Sequence, residues 1–158
     1  MKISNTDDLN LRFGLGAKIR FSTEDKLIKF TATSEISTLE CYLQGAHLTS
    51  FIPNDGADLL WLSPMTKLET GKAIRGGIPI CWPWFANHPS DAKKPAHGFA
   101  RTALWRVLNT EHTPNAEIIR LGLEASEETR VMWPHDFKLI YEVTLSDMLT
   151  AKLTIHNP

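Results

Sequence analysis

The stretch LIKFTATSEISTLECYL, residues 27–43, decides the fold class of this chain. Apolar and polar side chains alternate along residues 27–33 and again along residues 37–43, and β-branched residues are common in both runs. Successive side chains of a strand point to opposite faces of a sheet, so a period of two indicates a strand with one buried face. We therefore predict two half-buried strands here.

Runs of the same character recur along the rest of the chain. They cover residues 48–53, 103–108, 117–124, 137–145 and 149–155. Turn-forming residues stand at 114–115 and 146–147, and residues 59–62, LLWL, are predicted to be a short buried run. Closely spaced short strands separated by turns are typical of an antiparallel β-sandwich. The predicted fold class is accordingly all-β, an antiparallel β-sandwich.

A single helical turn is predicted among these strands. Ser126 followed by Glu127 and Glu128 is typical of a helix start, because the serine side chain caps free backbone N–H groups and acidic residues suit the positive end of the helix dipole. The helix must end before Pro134, since proline cannot continue it.

Length and composition bound the class of protein. The chain has 158 residues, of which 42% are hydrophobic and 22% charged. These values are ordinary for a globular protein, exclude a disordered one and suit one domain over residues 1–158. Cys41 and Cys81 show neither metal-ligand spacing nor a disulfide framework, so we expect buried free thiols.

The expected location is the cytoplasm. The N-terminal residues MKISNTDDLNLRFG lack the apolar run of a signal peptide. No stretch of the sequence approaches the length of apolar residues that a membrane-spanning helix needs. We therefore expect no membrane partner.

Positive charge is concentrated in one part of the sequence. Residues 71–106 contain six basic residues and one acidic residue, a net charge of +5, although the whole chain has a formal net charge of −1. The overall value argues against a nucleic-acid partner, whereas a local basic patch suits a small anionic ligand held in a cleft. A solvated basic loop is the alternative.

The strand pattern disappears over residues 65–101. A long segment without strands in a compact domain is usually functional or disordered. The aromatic residues of this segment, among them Trp82, Trp84, Phe85 and Phe99, make it too apolar for disorder. We predict an ordered surface that binds a ligand.

Two motifs in this segment carry the candidate site residues. Arg75 opens RGG at 75–77, where the glycines allow close approach of the backbone and the guanidinium can hold an oxyanion with two parallel hydrogen bonds. His97 opens HGFAR, which ends at Arg101. Taken singly, each motif is also consistent with an ordinary surface residue beside a turn. The aromatic run at 82–85 could stack on a sugar or fill the core.

In order and spacing, these motifs resemble the hexose-6-phosphate mutarotases, or glucose-6-phosphate 1-epimerases, of the aldose 1-epimerase (galactose mutarotase-like) superfamily. The residues that carry the resemblance are RGGIPICWPWF (75–85) and PAHGFAR (95–101), supported by QGAHLTSF (44–51), LLWLSP (59–64) and WPHDF (133–137). The resemblance implies that the chain is the N-terminal part, about half, of a galactose mutarotase-like β-supersandwich.

The resemblance also implies an activity. Members of the family interconvert the α and β anomers of an aldohexose 6-phosphate by general acid–base ring opening, without cofactor or metal. Arg75 and Arg101 match the family's phosphate contacts, and His97 matches a histidine that hydrogen-bonds the sugar. The hexose 6-phosphate is therefore the expected partner, and the aromatic loop is expected to shape its pocket.

The family's catalytic pair, a histidine acid and a glutamate base, is expected beyond Pro158, so no catalytic residue is expected within this chain. His156 lacks the context of the catalytic histidine, and Ala96 replaces a polar residue that precedes the histidine in some relatives. Two interpretations remain open. The chain is a truncated epimerase that is inactive alone, or a short module that binds sugar phosphates or carbohydrate without catalysis.

The truncated interpretation has a consequence for assembly. A half supersandwich would leave apolar sheet surface and unpaired strand edges, which usually find a partner. We therefore expect self-association through the exposed edge near residues 149–155.

Overall fold

The structure is a computed structural model that describes residues 5–54 and 56–158. Within these residues, eight strands form two antiparallel four-stranded sheets. The first sheet has the order β1 (Ile19–Glu24), β2 (Leu27–Thr33), β3 (Ser37–Tyr42), β4 (His47–Pro53). The second has the order β5 (Arg106–Thr113), β6 (Ala116–Glu124), β7 (Lys138–Leu145), β8 (Leu149–His156).

The two sheets bury one core between them. In β7 the buried residues are Leu139, Tyr141, Val143 and Leu145, every second position along the strand. They belong to the same cluster as buried residues of β2 and β3, so the inner faces of both sheets share a core. The predicted all-β antiparallel sandwich is confirmed, and the strands predicted at 27–33, 37–43, 48–53, 117–124, 137–145 and 149–155 are found within one residue of the expected bounds.

Two helices complete the described elements, α1 (Thr6–Phe13) and α2 (Glu127–Met132). Helix α2 confirms the predicted start, since Ser126 accepts a hydrogen bond from the Thr129 backbone and the Thr129 hydroxyl accepts one from the Ser126 backbone. The prediction of a single helix was wrong. Helix α1 was not predicted, because it buries only Leu9 and shows no clear apolar face. Strand β1 was not predicted either.

Two further predictions were wrong, one in the position of a strand and one in the burial of a short run. The strand predicted at 103–108 begins only at Arg106 and continues to Thr113. The preceding residues pair instead with the end of β3, where the Trp105 backbone N–H donates to the Leu43 carbonyl at 2.9 Å. The run 59–62 is not buried, since Leu59 is 65% and Trp61 is 69% exposed.

A long irregular segment connects β4 to β5. As predicted for 65–101, it contains no strand of its own among the described residues, only isolated bridges such as Leu62 to Gly76 and Trp82 to Gly98. Strands β4 and β8 are edges of their sheets. No described helix is long and apolar enough to cross a membrane. Residues 1–4, part of the N-terminal segment considered above, lie outside the described residues.

Candidate functional site

The irregular segment supplies all the residues that line a cleft of about 1130 Å³. The three predicted site residues, Arg75, His97 and Arg101, all line it. The remaining lining residues are Trp61, Ser63, Met65, Lys67, Lys72, Ala73, Ile74, Gly76, Pro79 and Ala96. The structure therefore brings together residues from both motifs, which are more than twenty positions apart in the sequence.

Arg75 is held by its backbone and leaves its side chain exposed. Its N–H donates to the Thr66 hydroxyl at 2.9 Å, and its carbonyl accepts from the Ser63 N–H at 2.9 Å. Gly76 and Gly77 follow with φ of 99° and 60°, and a Cβ on Gly77 would lie 2.1 Å from the Leu48 carbonyl oxygen. Only glycine fits this close approach, so RGG is a tight turn that presents the arginine to the cleft.

Arg101, which also lines the cleft, is half-buried. Its Nη2 donates to the Ala96 carbonyl at 2.8 Å, while its Nε is buried without a hydrogen-bond partner. In the part of the chain that the structure describes, no carboxylate pairs with the guanidinium of Arg75 or Arg101. Both positive charges are consequently available to an anion.

His97 has a backbone conformation that is uncommon for its residue type. Its φ is 65°, in the left-handed region, and its N–H donates to the Ala86 carbonyl at 2.7 Å. The Ala86 N–H in turn donates to His97 Nδ1 at 3.1 Å. Because Nδ1 accepts this hydrogen bond, a neutral His97 carries its proton on Nε2. His97 can therefore donate one hydrogen bond to a ligand in the cleft.

The two tryptophans of the aromatic run beside this turn pack against the core, whereas Phe85 is 76% exposed. Trp82 packs against Phe99, Trp133 and Phe137 with ring centroids 5.6, 4.9 and 4.4 Å apart. Trp84 also packs against the core cluster. None of Trp82, Trp84 and Phe85 lines the cleft, but the Phe85 ring packs against the ring of His97 with centroids 4.8 Å apart, so a part for the aromatic loop in shaping the pocket stays a prediction.

Trp61 is the aromatic residue that lines the cleft. Its backbone carbonyl accepts from the Gly77 N–H at 2.8 Å, which fixes it beside the RGG turn. Residues 59–62 are all apolar, so the sequence contains no signal that separates an exposed tryptophan from a buried one. An exposed indole face next to two arginines is typical of a site that accepts a ligand with both apolar and anionic parts.

Two buried polar residues beneath the cleft were also missed. Gln44 is 3% and His47 is 0% exposed. His47 Nε2 lies 2.7 Å from the Gly76 carbonyl oxygen, to which it donates. Burial lowers the pKa of His47, and the nearby positive charge of Arg101 lowers it further, which outweighs the opposing effect of the Gly76 hydrogen bond. Both residues belong to QGAHLTSF, a motif that supported the resemblance without a role of its own.

Among the described residues, the Lys and Arg side chains that line the cleft are positive and no negative side chain joins them. Lys67 and Lys72 join the two arginines, and Lys72 forms an ion pair with Glu69, which is outside the lining. No Asp or Glu lines the cleft among the described residues, and the same residues contain no group of three or more His, Cys, Asp or Glu that could hold a metal ion. The arrangement therefore suits an anion more than a cation.

Comparison with known proteins places the chain in a family. The family model of aldose 1-epimerase matches residues 27–158. The chain belongs to the aldose 1-epimerase family. Proteins named "putative glucose-6-phosphate 1-epimerase" from Escherichia coli and Salmonella typhimurium are 45% and 41% identical over 114 residues. The resemblance inferred from the motifs is thus confirmed.

A solved structure of a "putative mutarotase (YeaD)" from Salmonella typhimurium has the same fold, with a TM-score of 0.86 and 35% identity over 91% of this chain. The chain spans 48% of that structure and 38% of the length of the two bacterial relatives. The expectation of about half a galactose mutarotase-like sandwich is confirmed by this coverage.

Proposed function

We propose that the cleft binds the phosphate of a hexose 6-phosphate and that the chain supplies the phosphate-binding part of a glucose-6-phosphate 1-epimerase site. The observation that carries the proposal is the position of Arg75 and Arg101 on one cleft, with no carboxylate among its lining residues. The names of the bacterial relatives support the choice of substrate.

The two arginines would bind the phosphate by charge-assisted hydrogen bonds, which are stronger than neutral ones. The Nε of Arg101, a residue that lines the cleft, has no hydrogen-bond partner among the described residues and is a donor that they leave unused. With the phosphate held there, the His97 Nε2–H is positioned to donate to an oxygen of the sugar. This hydrogen bond would help to polarise the ring oxygen before the ring opens.

Trp61 would bind the sugar itself. A hexose has an apolar C–H face that packs on aromatic rings, and Trp61 is the exposed ring of the cleft. Trp61→Ala should weaken binding of glucose 6-phosphate about tenfold and leave binding of inorganic phosphate unchanged. Equal losses for both ligands would remove Trp61 from the sugar site.

Ring opening requires a base for the C1 hydroxyl proton and an acid for the ring oxygen. His97 is the one titratable group of the described cleft that is not a lysine or arginine, and a single hydrogen-bond donor does not supply both functions. We therefore propose that the acid and base of the full reaction are contributed by residues outside 1–158, and that this chain alone has little or no mutarotase activity.

Calorimetric titration of the chain with glucose 6-phosphate, glucose and inorganic phosphate tests the binding proposal. We expect both phosphate ligands to bind and glucose to bind much more weakly. Arg75→Met and Arg101→Met should each weaken phosphate binding about ten- to a hundredfold, since a hydrogen bond to a charged group contributes about 1.5–3 kcal/mol. Arg12→Met, an exposed arginine of α1 paired with Asp8, is the matched control. Glucose binding as tightly as glucose 6-phosphate would refute the proposal.

The alternative, a sugar-phosphate or carbohydrate-binding module without catalysis, is favoured by the same lack of carboxylates in the cleft. A chimera separates the two functions: this chain joined to the part of the Salmonella relative that follows its matched residues. NMR exchange between anomers, compared with buffer at matched phosphate, should show turnover by the chimera and none by the chain. Ligand binding without turnover in the chimera would support the module, and turnover by the chain that His97→Ala abolishes would contradict both.

A further inference from the structure

The motif QGAH, residues 44–47, precedes both arginines in the sequence and contacts both of the segments that carry them. It joins the end of β3 to the start of β4, and all four residues are buried. Polar side chains that are this buried nearly always form hydrogen bonds with other groups of the protein. The contacts of Gln44 and His47 therefore indicate what the motif does.

Gln44 binds the backbone of the irregular segment at three points. Its Nε2 donates to the carbonyls of Glu69 and Lys72 at 3.1 and 2.8 Å, and its Oε1 accepts from the Gly71 N–H at 2.7 Å. All three partners are main-chain groups of one turn. The turn lies outside any sheet, and one buried side chain thus satisfies three of its main-chain polar groups.

His47 binds the same segment four residues further on. Its Nε2 donates to the carbonyl oxygen of Gly76, the residue that follows Arg75. Its other ring nitrogen, Nδ1, is buried and has no hydrogen-bond partner in the structure. Among the described residues, the one hydrogen bond of this fully buried ring is therefore the one that fixes the RGG turn.

The backbone of the motif contacts the second arginine segment. The Gly45 N–H donates to the Ala103 carbonyl at 2.7 Å, and Gln44 forms a bridge with Leu104. Both partners lie directly after Arg101. A Cβ on Gly45 would lie 2.4 Å from the Arg101 carbonyl oxygen, so the backbones of the two segments are in close contact. One four-residue motif consequently contacts both arginine-bearing segments.

We propose that Gln44 and His47 are positioning residues, which hold residues 61–77 against the first sheet so that Arg75 and Arg101 reach the same phosphate. Neither side chain lines the cleft, so they act through the backbone of the turn and not by contact with the ligand. The proposal rests on the proposed function for its ligand, but the hydrogen bonds that it assigns are independent of any ligand.

Variants at His47 test the positioning role. His47→Phe keeps the size of the ring and removes the donor, and we expect it to weaken binding of inorganic phosphate about tenfold. His47→Gln places an amide nitrogen near the position of Nε2 and should restore most of the affinity. His47→Asn, whose shorter amide reaches only the position of Nδ1, should not. His156→Phe, at an exposed histidine of β8, is the matched control.

A double-mutant cycle with Arg75→Met separates positioning from general stability. If His47 acts through Arg75, His47→Phe should weaken phosphate binding less than about twofold once Arg75 is replaced, since coupled residues are not additive. An equal loss in both backgrounds would overturn the proposal, because it would mean that His47 acts on the whole fold.

Amide hydrogen exchange gives a readout without ligand. In His47→Phe the Gly77 N–H, which donates to Trp61, should exchange faster, and in Gln44→Leu the Gly71 N–H should do so, while the Ile119 N–H in the core strand β6 keeps its rate. Uniform acceleration would overturn the positioning role. If the wild-type chain binds neither inorganic phosphate nor glucose 6-phosphate, the proposed function fails, and these exchange rates alone decide whether Gln44 and His47 hold the segment.

Discussion

Gly98, which follows His97, packs against the backbone of Trp82 in the aromatic run and forms a bridge with it. Gly98→Ala should therefore destabilise the chain strongly. Its φ is 70°, and a Cβ at this position would lie 2.0 Å from the Trp82 carbonyl oxygen, 2.3 Å from its carbonyl carbon and 2.7 Å from the Pro83 nitrogen. All three atoms are main-chain atoms. No rotamer change can relieve the overlap, so the two segments must separate.

The expected loss follows from two contributions. The left-handed conformation costs an L-residue about 1–2 kcal/mol. Separation of the segments also breaks the hydrogen bonds from the Phe99 and Ala100 N–H groups to the Trp82 carbonyl, at 3.1 and 3.2 Å, each of which contributes about 1 kcal/mol. Together they predict a decrease in the free energy of unfolding of about 3–4 kcal/mol.

Urea unfolding followed by circular dichroism measures this loss. Gly16→Ala is the matched control, because Gly16 has a φ of 60° and nothing within 4 Å of the added Cβ. It should therefore lose only the conformational contribution of about 1–2 kcal/mol. If Gly98→Ala proves no more destabilising than Gly16→Ala, the close packing of HGFAR against Trp82 is not as described.

Two further predictions concern titration and reactivity. Burial lowers the pKa of His47 below its ordinary value of 6.5, and the Arg101 charge lowers it further. At a pH between the lowered and the ordinary pKa, the unfolded chain therefore binds more protons at this histidine than the folded chain does. Stability should therefore fall as the pH falls through this window, by at most about 1.4 kcal/mol per pH unit. The contribution should disappear in His47→Gln when unfolding is measured against pH, and an unchanged slope would contradict it. Burial also raises the pKa of the Cys41 thiol well above its ordinary range. Mass spectrometry after treatment with a thiol reagent should find Cys81 modified before Cys41 in the native chain and both modified in urea, and equal native rates would contradict the burial of Cys41.

Regular strands were predictable because their signal is local. Leu139, Tyr141, Val143 and Leu145 alternate with more exposed residues along β7, and this period can be seen in the sequence without knowledge of the partner strand. Helix α1 has no such signal, because it is held by tertiary contacts. The Asn10 side chain donates to the Phe21 carbonyl and accepts from the Phe21 N–H, both at 2.8 Å.

The residues of the candidate site also fall into those that could be predicted from the sequence and those that could not. Arg75, His97 and Arg101 were predicted because they stand in motifs with a recognisable order and spacing, and the structure places all three on one cleft. Their role in binding stays a prediction. Trp61 and Gln44 were missed because the exposure of the first and the hydrogen bonds of the second depend on how residues 61–77 lie against the sheet. Such pairings across the chain leave no periodic signal in the sequence.

An NMR titration of the chain with glucose 6-phosphate, with the arginine side chains labelled with ¹⁵N, shows whether Arg75 and Arg101 bind one ligand together. We expect the Nε–H signals of Arg75 and Arg101 to shift together and to saturate at one ligand concentration, and glucose alone to leave both unchanged. Shifts confined to other parts of the chain, such as His112 and Glu117 around a separate cavity, or no shift of either arginine at saturating ligand, would contradict it.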